Sequence, residues 1–116
     1  MKRDMELIRL LLLQVEEGKP PAALESYSEE KTVYNSALLI EKGLVKGAIR
    51  KNRIGIPVGT KSISLTWEGH DFLDAARNEK IWKKATAFLK SKGLEASIDL
   101  MKQLLVQFTK SELGIS

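Results

Sequence analysis

Six basic residues, Lys42, Lys46, Arg50, Lys51, Arg53 and Lys61, fall between Lys42 and Trp67 with no acid among them. Ammonium and guanidinium groups at this density can neutralise phosphates. Each neutralised phosphate releases counterions, which gives salt-sensitive affinity without sequence choice. The chain's formal net charge is +4 at pH 7, so this one segment outweighs the whole and the remainder is net acidic. The same run also fits an exposed hairpin that lysines keep soluble and protected from edge pairing.

A second group, Lys31, Thr32, Asn35 and Ser36, is spaced for one face of a helix. Asn can pair bidentately with adenine, and Ser or Thr can bond several base edges, so an outward face of this kind could read a duplex. Glu29 and Glu30 precede it in the first helical turn, the part that usually enters the groove. Carboxylates there repel phosphates, and the competing reading is an ordinary solvated face.

Catalysis has little to draw on. There is no cysteine, which excludes disulfides, thiolate nucleophiles and Cys-based zinc sites and fits a reducing cytoplasm. His70 is the single histidine, beside Glu68 and Asp71. A zinc site would need further ligands from elsewhere, and the plainer reading is a hydrogen-bonded structural histidine. Gly55-Ile56-Pro57-Val58-Gly59 lacks the lysine of a phosphate-binding loop. Trp67 and Trp82 could stack on bases, but among so many apolar neighbours they read as core or interface residues. No enzyme activity and no cofactor are expected.

The elements that must position these groups pivot on Leu65-Thr66-Trp67-Glu68-Gly69-His70-Asp71-Phe72-Leu73. Thr66 is a good N-cap, and Glu68 and Asp71 put negative charge where the helix dipole favours it. Before this stretch, Leu44 to Arg50 and Lys61 to Thr66 read as strands around a loop from Lys51 to Gly59 marked by Asn52, Gly55, Pro57 and Gly59. Upstream, Met5, Ile8, Leu11, Leu12 and Val15 set a helix over 3–17 that Gly18 and Pro20-Pro21 stop. Leu24 to Ser26 could form a short strand but is too brief to assign from pattern alone. A second helix runs from a Ser28 cap to about Lys42, with Val33, Ala37, Ile40 and Leu44 as its inner stripe and Ser26 as an alternative cap. Helices over 67–77, 79–92 and 96–113 complete the chain, the second with Ile81, Trp82, Ala85, Phe88 and Leu89 on one side.

The start does not read as a signal peptide, because Asp4, Glu6 and Arg9 interrupt the required pattern. The apolar run from Leu10 to Leu13 is far short of the roughly 20 residues needed to span a bilayer. The last helix, with Ile98, Met101, Leu105 and Phe108 at helical spacing and Leu100, Leu104 and Val106 beside them, is apolar over more than one stripe. It either folds back over the first helix or carries a homodimer.

Three stretches together resemble one family: the opening Met1-Lys2-Arg3-Asp4-Met5-Glu6-Leu7-Ile8-Arg9, the segment Leu38-Leu39-Ile40-Glu41-Lys42-Gly43-Leu44-Val45, and the Leu65 to Leu73 block followed by Ile81-Trp82. The family is one of small, uncharacterised bacterial and phage-associated proteins, a domain of unknown function with a winged-helix-like pattern. The Gly-Leu-Val ending is shared more loosely with MarR-like and PadR-like regulators. The resemblance implies a winged-helix fold and a phage or prophage context. It carries over no functional residue, and the histidine that members often place near Asn35 is absent here.

The expectation is therefore a mainly α protein with a small β-hairpin: a winged helix-turn-helix over 1–78 with additional C-terminal helices over 79–116. The expected function is a cytoplasmic winged-helix DNA-binding protein, a phage-related regulator or accessory factor. It would contact double-stranded DNA through Lys31, Thr32, Asn35, Ser36, Lys46, Arg50, Lys51, Arg53 and Lys61. The alternative is a winged-helix-shaped protein-interaction module that does not bind DNA.

Overall fold

The protein's structure, a computed structural model, describes residues 3–114; Met1 and Lys2 of the opening motif lie outside the described residues. The order of elements is α1 (Met5–Glu17), a 3-10 turn (Ala22–Ser26), α2 (Glu29–Glu41), β1 (Val45–Lys51), β2 (Pro57–Leu65), α3 (Trp67–Ala76), α4 (Glu79–Ser91) and α5 (Ile98–Glu112). The protein is mainly helical with one small antiparallel hairpin, as the sequence leads one to expect. It divides into two units within α3, between His70 and Asp71.

In the first unit, α1 starts where the Asp4 carboxylate accepts from Leu7 N at 3.1 Å, and it stops at Gly18, whose φ of 77° suits a residue without Cβ. Leu7, Ile8, Leu10, Leu11 and Leu12 are all buried, so this helix is covered over a broad arc. Met5 and Val15, expected in its inner stripe, are only half-buried.

Leu24 to Ser26, left unassigned by pattern, belongs to the 3-10 turn. Leu24 N donates to Pro21 O at 3.0 Å, Tyr27 N to Leu24 O at 3.1 Å, and Ser26 Oγ to Ala23 O at 2.9 Å. Local bonds satisfy this segment's backbone, so it needs no strand partner.

Ser28 caps α2 by accepting from Lys31 N at 3.1 Å, as expected. The buried arc of α2 is Asn35, Ser36, Ala37 and Leu39, whereas Val33 and Ile40 of the expected stripe are half-buried. The cause is packing on two sides: the Asn35 side chain meets the start of α1, and Ile40 meets Gly47 of β1.

The hairpin is longer than its hydrophobic pattern. Asn52 Oδ1 accepts from Ile54 N at 3.1 Å and from Ile56 N at 3.0 Å, and Asn52 N donates to Ile56 O at 2.9 Å. These bonds close the loop within a few residues and leave Pro57 to Thr60 free to pair. Register runs from Val45 opposite Leu65 to Lys51 opposite Pro57, with irregularities after Lys46 and after Arg50.

Thr66 then locks the hairpin to α3. Its backbone N donates to Leu44 O at 3.0 Å, its hydroxyl donates to Gly43 O at 2.6 Å, and the same oxygen accepts from Gly69 N at 3.0 Å. Gly69 sits so close to the Leu44 carbonyl that an added Cβ would meet its oxygen at 2.0 Å.

In the second unit, Asn78 caps α4 through Ile81 N at 3.1 Å and Ser97 caps α5 through Leu100 N at 3.0 Å. The two helices pack together, with Phe88 and Phe108 edge-on at 6.2 Å between centroids. Lys80 and Lys84 reach the Glu112 carboxylate at 3.2 and 2.6 Å and hold it below the ordinary glutamate range, the Lys84 hydrogen bond contributing most. Ile81, Trp82, Ala85 and Leu89 are buried as expected, while Phe88 is partly exposed. No described helix is long and apolar enough to cross a membrane.

Candidate interaction surfaces

Of the four residues expected on the outward side of α2, two are buried. Asn35 is 0% exposed and Ser36 8%. The Asn35 side chain is consumed by backbone: its Oδ1 accepts from Asp4 N at 3.0 Å and its Nδ2 donates to Lys31 O at 2.9 Å. It cannot also read a base edge, so the expectation that Asn35 and Ser36 face outward is corrected. Thr32 is half-buried.

Lys31 is engaged as well. Its Nζ lies 2.8 Å from Asp4 Oδ2 and 5.4 Å from the centre of the Tyr27 ring. Burial alone would raise the Asp4 carboxyl, but the hydrogen bond from Lys31, the Leu7 backbone N–H and the Lys31 charge outweigh it and hold Asp4 below the ordinary aspartate range. The same hydrogen bond raises Lys31 above its ordinary value. Burial, joined by the Asp4 and Glu6 charges, raises Tyr27.

The hairpin cations sort by strand geometry. Gly47 faces Ile40 of α2, so its neighbours Lys46 and Ala48 point to the opposite side. Across the pair, Lys46 lies opposite Ser64, Ala48 opposite Lys61 and Arg50 opposite Gly59. Lys46, Arg50 and Lys61 therefore share the face turned away from α2, and the Arg50 guanidinium lies over Gly59. Lys51 is 3.8 Å from Glu41, and Arg53 is exposed in the loop. The cations and the expected reading side of α2 do not form a single surface.

What α2 does present beside the hairpin tip is different. Glu29, Glu30, Val33 and Tyr34 form one wall of a groove of about 630 Å³. The other wall is the run from Gly55 through Ile56 and Pro57 to Val58. Ile54, at 79% exposure, extends the apolar tip. This groove was not found from sequence. The signal was Ile54, Ile56 and Val58 in a hairpin loop, where polar residues are the rule.

Trp67 is 87% exposed in the first turn of α3, so it is not a core residue, whereas Trp82 is buried. His70 is exposed on α3 as well. The outward side of α5 carries Asp99, Gln103, Gln107 and Lys110, with Val106 as its apolar member, while Ile98, Met101, Leu104 and Leu105 are buried. That side gives no support to the homodimer expected through this helix.

The family model described as "Hypothetical protein (DUF2513)" matches residues 2–95. The chain belongs to this family. It is also similar to an uncharacterized protein of Haemophilus influenzae (strain ATCC 51907 / DSM 11121 / KW20 / Rd), 33% identical over 110 residues that cover 90% of this chain and 92% of that protein. No solved structure matches this DUF2513 member.

Proposed function

We propose that this DUF2513 protein is a winged-helix-shaped protein-interaction module that engages its partner through the groove between α2 and the hairpin tip. The order of helix α2, hairpin and α3 supports the winged-helix comparison. One observation carries the interaction reading: the side of α2 open beside the hairpin bears Glu29, Glu30, Val33 and Tyr34 rather than base-reading groups. Two carboxylates there disfavour phosphate, and contiguous exposed apolar side chains mark surfaces that gain by being covered. The test compares wild type with Val33→Glu plus Ile56→Asp. Nuclease-treated wild type should retain a co-purifying protein that the double variant loses, with both equally folded. Retention by the variant would move the partner elsewhere.

A second reading has its own support. Lys46, Arg50 and Lys61 share one hairpin face and could hold a duplex backbone without choosing sequence, as an accessory factor of phage or prophage origin would. A gel shift on mixed-sequence DNA at low salt separates the two readings, since the groove variant should leave such binding unchanged.

A further inference from the structure

The groove between α2 and the hairpin tip is chemically two-sided. Glu29 and Glu30 stand at the start of its α2 wall, and Val33 and Tyr34 continue that wall one turn further on. No cation lines it, and among the described residues neither carboxylate has an ion-pair or hydrogen-bond partner. The acid that caps α1 is treated differently. Asp4 holds Lys31 Nζ at 2.8 Å, and that ammonium also lies 5.4 Å from the centre of the Tyr27 ring. Glu30 and Tyr34, four residues apart and so neighbours on the helix surface, offer the same two kinds of contact outward. The opposite wall is aliphatic and open: Ile56 is 51% exposed and Val58 44%.

We infer, resting on the groove as the docking site proposed above, that it takes an extended segment of the partner in which an arginine is followed two positions later by an aliphatic residue. The arginine meets Glu29 and Glu30, and the aliphatic side chain lies between Val33 and the hairpin wall. The spacing follows from the helix. Val33 is one turn, about 6 Å along the axis, from Glu29. Alternate residues of an extended chain lie about 7 Å apart and point to the same side. Arginine is preferred to lysine because its planar fork can bond a carboxylate bidentately and lie on the Tyr34 ring. A groove of about 630 Å³ has room for a few side chains rather than for the face of a folded domain. An acidic segment meets like charge here and is rejected.

The test is an amide-resolved NMR titration of the full chain with the end-blocked peptide Gly-Arg-Ser-Leu-Gly, beside versions with lysine or glutamate in place of arginine. Saturable shifts at the amides of Glu30, Val33, Tyr34, Ile56 and Val58 are expected with the arginine peptide. Binding should be weaker with lysine and absent with glutamate. Glu29→Gln with Glu30→Gln should weaken the arginine peptide about tenfold, as loss of a charged partner does. Glu29→Lys with Glu30→Lys should reverse the preference, so that the glutamate peptide binds instead. The glutamine pair decides alone if the lysine pair does not fold.

No saturable shift from the arginine peptide overturns the inference. So does equal binding of the glutamate peptide, or binding that the glutamine pair leaves unchanged. Shifts at these amides that grow with protein concentration in the absence of peptide would give the groove to a second copy and overturn it as well. The groove reading fails separately, when Val33→Glu plus Ile56→Asp keeps its co-purifying protein. If that protein is lost there but kept by the glutamine pair, the groove stands and the arginine assignment falls.

Discussion

Asn35 Oδ1 accepts a hydrogen bond from the backbone N–H of Asp4 at 3.0 Å, joining the middle of α2 to the first residue of the α1 cap. Because Asn35 is fully buried and its Nδ2 also donates to Lys31 O, truncation strands the Asp4 N–H and takes a donor from Lys31 O at once. Asn35→Ala should destabilise the fold by about 1–3 kcal/mol. Denaturant unfolding measures this directly. An unchanged midpoint would mean that the buried bond contributes nothing to stability.

Asp4 also makes the first unit sensitive to acid. Its folded carboxyl is held below the ordinary value, so its contribution is present above the ordinary carboxylate range and is lost as pH falls through the folded value. Lys31 works the other way: raised above its ordinary value, its contribution is present below that value and disappears as strongly alkaline pH rises through the folded one. Unfolding curves taken from neutral pH into the acid range should therefore lose stability faster for wild type than for Asp4→Asn. Parallel losses would sink the assignment.

The contact between Gly69 and Leu44 makes a sharper demand. A Cβ at 69 would strike a backbone oxygen that a rotamer change cannot move. Gly69→Ala should cost about 1–3 kcal/mol through displaced backbone, despite the better helix propensity of alanine. Thermal melts of Gly69→Ala beside Thr66→Ala would separate the steric effect from the loss of the cap and of the bond to Gly43 O. A Gly69→Ala protein as stable as wild type would mean that α3 starts further from the hairpin.

Much of this architecture was legible because local chemistry agrees with tertiary demand. Ser28 and Thr66 cap the helices that follow them, as their sequence context leads one to expect. The site was less legible. Helical spacing put Asn35 and Ser36 outside because polar residues are assumed to face water, and nothing local reveals that Asp4, thirty-one positions away, completes the bonds of Asn35. The hairpin ran longer than its pattern because Asn52 closes the loop with its own side chain. The arc of α2 was misjudged because a helix packed on two sides has no single stripe.

The face that Lys46, Arg50 and Lys61 share allows the remaining reading to be tested quantitatively. If this face alone meets a duplex, three phosphate contacts give a log–log salt slope of about −2.7. Lys46→Glu, Arg50→Glu and Lys61→Glu together should abolish that binding, whereas Lys31→Ala should leave it unchanged, since Lys31 is committed to Asp4 on α1. The fold should tolerate the triple change, because all three side chains are exposed. A steeper slope, or dependence on Lys31, would require α2 to approach the duplex together with the hairpin. That arrangement would bring Glu29 and Glu30 towards phosphates, and Glu29→Gln with Glu30→Gln should then tighten binding. Binding unmoved by these two changes would confine any duplex to the outer face of the hairpin and leave the acidic groove to a protein.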